Sequence, residues 1–184
     1  MLKTIPKMKV DETEEEETVV KVRELTFQCE EKQICVRTDR GYTRKHMWAK
    51  KTAEGNYKVG ITDYAQKSIR DKIALLEIFK NPTVGEEVEA EEVFGVIYGK
   101  LYANLDLMQY EYMAFDLTAP VSGKIVEVNR RVMETPQLMN ISPYEEGWVA
   151  VIALDSQNDL SDLVTPIKYK QIITKKEGSP FRVV

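Results

Sequence analysis

The stretch from 88 to 129, VEAEEVFGVIYGKLYANLDLMQYEYMAFDLTAPVSGKIVEVN, most constrains what this chain can fold into. It is dense in β-branched and aromatic residues and is punctuated only at Glu91-Glu92, Pro120 and Gly123. Such a run is strand chemistry. The weak break at Asn104 predicts one long β-hairpin between Phe94 and Pro120, with its tip near Ala103 to Asp106, because Asn and Asp favour turns.

The rest of the chain reads the same way. Residues 18–40 alternate apolar and polar positions, with Val20, Val22, Leu25, Phe27, Ile34 and Val36 as the inward set. They form an N-terminal β extension turned at CEEKQ. A strand is expected over Tyr42 to Lys51, a turn at Glu54-Gly55-Asn56 and a partner strand over Tyr57 to Ile61. Thr62 or Asp63 then caps a short helix, DYAQKSIRDK. IALLEIF and GWVAVIAL are core strands, RRVMETPQLMN is a loop or short helix, and 158–173 is helical with Pro166 at its first turn. Many short strands closed by Gly and Pro turns, with helices at the flanks, give a mainly β sandwich or barrel. Residues 1–17 form an acidic flexible tail, 41–176 the main domain and 177–184 a C-terminal tail.

Charge and composition exclude several functions. Of the net charge of −4, residues 1–17 account for −3, so the body is nearly neutral. It has no basic stripe to neutralise phosphates, and nucleic acid is not an expected partner. No run approaches the length of a membrane span, and the N-terminus lacks the apolar segment of a secretory signal, which points to the cytoplasm. His46 is the sole histidine, with no nucleophile–base spacing around it, so it is read as a structural hydrogen-bonding group beside Trp48. No catalytic residue and no metal ligand is assigned. Cys29 and Cys35 read first as small half-buried residues; a metal or redox pair is the competing reading.

From Tyr42 onward the sequence resembles the glycine cleavage system H protein family. Tyr42-Thr43-Arg44-Lys45-His46-Met47-Trp48 is similar to the family's Tyr-Thr-x-x-His-Glu-Trp, with Met47 in place of Glu. Val59 to Gln66 matches a family block residue for residue. Val84-Gly85, Glu87, Val88, Ala90 and Phe94-Gly95-Val96 resemble the lead into the family's hairpin, and Ala119 to Gly123 with Val126, Val128 and Asn129 resemble the exit. Asn140, Pro143-Tyr144 and Glu146-Gly147-Trp148 resemble the closing block. The resemblance implies a lipoyl-domain-like barrel-sandwich hybrid: a flattened antiparallel β-sandwich with short flanking helices. It also implies lipoate in amide linkage on a lysine at a hairpin tip. That arm carries an aminomethyl group between the enzymes of the glycine cleavage system.

The hairpin departs from the pattern. The family's run is Phe-Gly-x-x-Glu-Ser-x-Lys-Ala-x-Ser-Asp-Leu-x-x-Pro. Counted back from Pro120, the lysine position falls on Tyr112; counted forward from Phe94, it falls on Leu101, and the Glu position on Tyr98. The hairpin is thus longer by about eleven residues, and Lys100 is its only lysine. The sequence therefore predicts an H-protein-like carrier or binding module, not an enzyme. It lacks the usual lipoyl lysine and acts through protein contacts, made by the Tyr- and Met-rich hairpin with glycine cleavage or lipoate-handling enzymes or with a second copy. The first alternative is an aminomethyl carrier with lipoate on Lys100. The second is a Cys-based metal or redox protein.

Overall fold

A computed structural model describes residues 24–68, 73–80, 82–104, 109–154, 160, 162–175 and 182–183, with backbone alone at 73–80, 100–104, 109–113 and 182–183. Residues 1–17, and Val20 and Val22, lie outside the described residues. The fold is mainly β. Strands β1 (Glu24–Cys29) and β2 (Lys32–Arg37) form a separate hairpin. A six-stranded sheet has the order β3 (Gly41–Tyr42), β4 (Met47–Lys51), β5 (Tyr57–Ile61), β11 (Trp148–Leu154), β10 (Gly123–Val128), β7 (Glu87–Val88). A four-stranded sheet has the order β12 (Arg182–Val183), β9 (Gln109–Thr118), β8 (Val93–Asn104), β6 (Ile73–Lys80). Short helices α1 (Asp63–Ser68), α2 (Arg130–Glu134), α3 (Leu138–Ile141) and α4 (Pro166–Thr174) complete it. Every strand pair is antiparallel.

The sandwich follows from two-residue alternation. Val59, Ile61, Ile125 and Ile152 of the larger sheet and Phe94, Ile97, Phe115 and Leu117 of the smaller are all essentially buried and form one core. Gly60 is required where it stands. A Cβ there would lie 2.8 Å from the Trp48 ring, which crosses the neighbouring strand.

Several local expectations are corrected. The stretch expected as one strand over Tyr42 to Lys51 is two, because Thr43 to His46 turn tightly, with His46 at φ 62 and its N–H on the Thr43 carbonyl. The strands of the long hairpin reach Asn104 and resume at Gln109, so Ala103 lies in a strand rather than at the tip. The last helix begins only at Pro166, capped by the Thr165 hydroxyl. Arg182–Val183, expected in a C-terminal tail, pairs with Ala114 and Met113.

The N-terminal extension is not an appendage. Ile34 and Val36 are buried, and with Leu25 and Phe27 they cover Tyr42, Trp48, Tyr144, Tyr169 and Ile173, a second core outside the sandwich. Replacing Ile34 with Ala leaves a cavity there and is expected to destabilise the whole domain by about 2–5 kcal/mol. Urea unfolding followed by tryptophan fluorescence checks this, since Trp48 lies in the same cluster.

Candidate functional site

The carrier position of the resembled family lies in the β8–β9 hairpin. Its register is set by buried pairs. Ile97 stands opposite Phe115, both in the core, and the pairing then runs through Tyr98–Ala114 and Gly99–Met113 to Lys100–Tyr112 and Leu101–Glu111. The two counts for the lysine position thus fall on adjacent levels of the ladder. Leu101 and Tyr112 lie on opposite strands, offset by one, and the extra residues extend the hairpin beyond them. The connection, 105–108, reads LDLM.

Lys100 is inside the sheet rather than on a turn. Its residue is paired to Tyr112 of β9 on one side and to Leu75 of β6 on the other. By strand alternation it shares a face with Val96 and Tyr98, which are half-buried, opposite the face of Ile97 and Gly99. Lipoate attaches through an amide, which needs a primary amine. Neither position on which the count for the family's lysine falls, Leu101 or Tyr112, carries an amine, and 105–108 holds no lysine. The residues present do not fit a lipoyl arm borne on a turn.

A second cluster surrounds His46 in the opening motif. The imidazole is buried, stacked at a tilt on Tyr64 at 4.8 Å, and its Nδ1 is 2.8 Å from the Tyr169 hydroxyl. That hydroxyl is also 2.7 Å from Thr62 Oγ1, which accepts from the Ala65 N–H. A single proton order satisfies all of them: Ala65 N–H to Thr62, Thr62 O–H to Tyr169, Tyr169 O–H to a neutral His46. Burial lowers the His46 pKa from 6.5 to about 4, which keeps that acceptor neutral. His46 is therefore structural, as expected, but its partner is Tyr169. No local pattern could indicate a residue 123 positions away.

Of the two expected helix caps, Thr62 fills the role, and the Asp63 carboxylate accepts from the Cys35 backbone N–H at 2.8 Å and from Lys67 at 2.9 Å. Tyr144, donating to the Cys35 carbonyl and accepting from the Asp63 N–H, completes the tie between β2 and α1. Arg40 is buried between the rings of Trp48 and Tyr144, at 4.6 and 4.9 Å. Met47, where the family has Glu, is fully buried in the sandwich core.

The metal or redox reading of the cysteines finds no geometry. Cys29 pairs with Lys32 and Cys35 with Thr26, three positions apart on the ladder, so the two thiols lie on opposite faces. Neither is in a disulfide, and burial together with the Glu24 carboxylate pushes the Cys35 pKa up to about 11. Among the described residues no group of three or more His, Cys, Asp or Glu could hold a metal, and no helix is long and apolar enough to cross a membrane.

Comparison with known proteins agrees with this geometry. The model of the glycine cleavage H-protein family matches residues 40–176. This chain belongs to the glycine cleavage H-protein family. The glycine cleavage system H protein of Carboxydothermus hydrogenoformans is 40% identical over 141 residues, covering 76% of this chain and 95% of that protein. That of Coprothermobacter proteolyticus is 37% identical over 133 residues, covering 72% and 92%. The crystal structure of an H protein from Mycobacterium marinum superposes with a TM-score of 0.53 at 29% identity, covering 73% of this chain and 95% of that one. H proteins are carriers, not catalysts. The β1–β2 hairpin precedes the matched region.

His46 makes the domain acid-sensitive. The unfolded chain takes a proton near pH 6.5, whereas the native imidazole resists one until about 4, so stability falls as pH drops through that window. The fall amounts to about 3 kcal/mol from this residue. His46→Asn, which tolerates the positive φ, is expected to flatten the slope of unfolding free energy against pH between 6.5 and 4.

Proposed function

We propose that this chain is an H-protein-type module of the glycine cleavage system that has given up the lipoyl arm and works through protein contacts made by its lengthened hairpin. The observation that supports this reading is the register: Lys100, the only lysine of the hairpin, is paired within the sheet to Tyr112, and 101–119 holds no lysine. A swinging arm needs a free turn and an amine at that turn. The body of the domain follows the family over 40–176, which supports the same class of partner for it. Glycine cleavage or lipoate-handling enzymes are therefore the partners of that body, and the hairpin adds a contact element.

A second reading has a specific observation in its favour. Lys100 is paired to Tyr112, one of the two positions on which the count for the family's lysine falls. On that reading lipoate sits on a strand face, and the chain is an aminomethyl carrier with a displaced attachment site.

Intact mass separates the two. The chain is co-expressed with a lipoate ligase and supplied lipoate, beside an ordinary H protein as positive control. It is expected to keep its unmodified mass while the control gains one lipoyl amide. A lipoyl amide mapped to Lys100 would sink the first reading and establish the second.

The register also specifies how to rebuild a carrier. Excising 101–111 joins two residues that already face each other, Lys100 and Tyr112, and restores the family's spacing from Phe94 to Pro120. Combined with Tyr112→Lys, this excision is expected to produce a chain that is lipoylated at position 112. Its failure to accept lipoate while folded would show that the hairpin is not what blocks modification.

A further inference from the structure

Beyond Leu101 and Tyr112 the hairpin has no flanking strand among the described residues. β6 accompanies β8 only from Val96 to Leu101, and β12 meets β9 only at Met113 and Ala114. The end of the hairpin is a two-stranded ribbon, a form only marginally stable in water, and each of its edges offers unpaired backbone N–H and C=O groups. The two edges are not equivalent. On β8 the register shifts between Tyr102 and Asn104, and such a bulge spoils an edge for further pairing. β9 runs from Gln109 to Tyr112 without a shift. That segment, QYEY, carries none of the Lys or Pro residues that blunt sheet edges.

We infer that the outer edge of β9 pairs antiparallel with the same edge of a second copy of this chain, about a two-fold axis at Tyr110. The inference rests on the reading that the hairpin is a contact element rather than a carrier arm. Charge and occupancy select the register. In an antiparallel pair of identical strands, opposed residues must present their backbone groups alike, so the axis passes through a residue rather than between two. An axis at Glu111 would oppose two carboxylates and would set Gln109 against Met113, which β12 already occupies through Val183. An axis at Gln109, the first residue of β9, would leave no second residue pair within the strand. An axis at Tyr110 opposes two tyrosines, sets Gln109 against Glu111, an amide against a carboxylate, and leaves Met113 to β12. Aromatic and hydrogen-bonding pairs favour an antiparallel ladder, whereas like charges directly opposite disfavour it. The two four-stranded sheets then become one continuous sheet across the dimer.

Sedimentation and light scattering on the full chain, at its highest soluble concentration, test this. The expected species has twice the 21.2 kDa of the chain, and Tyr110→Lys, which opposes two ammonium groups on the axis, returns it to 21.2 kDa. Directly opposed residues have Cα atoms about 4.5–5.5 Å apart, inside the span of about 4.4–6.8 Å that a disulfide bridges. Tyr110→Cys is therefore expected to cross-link two copies through position 110 under mild oxidation, which decides the matter should the Lys variant lose its fold by circular dichroism. A monomeric wild type with no such cross-link overturns the inference, as does a dimer that survives Tyr110→Lys in a folded protein. The intact-mass result stands apart from this. An unmodified monomer would end the dimer and leave the loss of lipoate intact, whereas lipoate on Lys100 would end the reading beneath both.

Discussion

The pairing of Ile97 with Phe115 is the contact on which the functional argument hangs. Both residues are buried in the sandwich core, and each alternates with neighbours on the opposite face of its strand. A slip of one residue would turn the whole apolar set of a strand outward, so this pair admits a single register. Everything farther along the hairpin inherits it. Lys100 meets Tyr112 because Ile97 meets Phe115, three pairs back along the same ladder. That the strands stay paired through Lys100 and Tyr112 is thus enforced by the core, not by those two residues themselves.

The second cluster does for the chain ends what the sandwich core does for the hairpin. Tyr42 and Tyr169 stack in parallel at 4.5 Å, and the Tyr169 hydroxyl joins α4 to both the opening motif and the cap of α1. The N-terminal hairpin closes over these rings, held by Asp63, Tyr144 and Lys67 to its backbone. A polar group buried without a partner would be costly there, so the aromatic hydroxyls do two things at once: they fill space and they terminate backbone donors and acceptors. The hairpin precedes the part of the chain that matches the family and is anchored mainly by Ile34 and Val36 of β2, which are buried against these rings.

Much of the architecture was legible in the residues. Strands β5 and β6, the turn at Gly55 and the helix N-terminus at Thr62 to Asp63 fall where alternation, turn chemistry and capping put them. The boundaries that were misjudged share a cause. Thr43 to His46 and Thr165-Pro166 are set by tertiary partners: the Thr62 N–H on the His46 carbonyl and Tyr169 on its ring at the first turn, and the bridge of Tyr42 to Val164 just before the last helix. The family, likewise, was readable from motifs in order, because each motif occupies a position that the fold needs.

By itself the sequence determined that the chain is a mainly β member of the glycine cleavage H-protein family and that Lys100 is the only lysine between Phe94 and Pro120. These are statements about order and spacing along one strand, and local chemistry encodes them. Only the tertiary structure decided that Leu101 and Tyr112 lie one position apart on facing strands, that Cys29 and Cys35 face apart, and that His46 answers to Tyr169. Those facts depend on which strand lies against which and in what register. Burial of the core as a whole sets that register, and no segment of the sequence carries it alone.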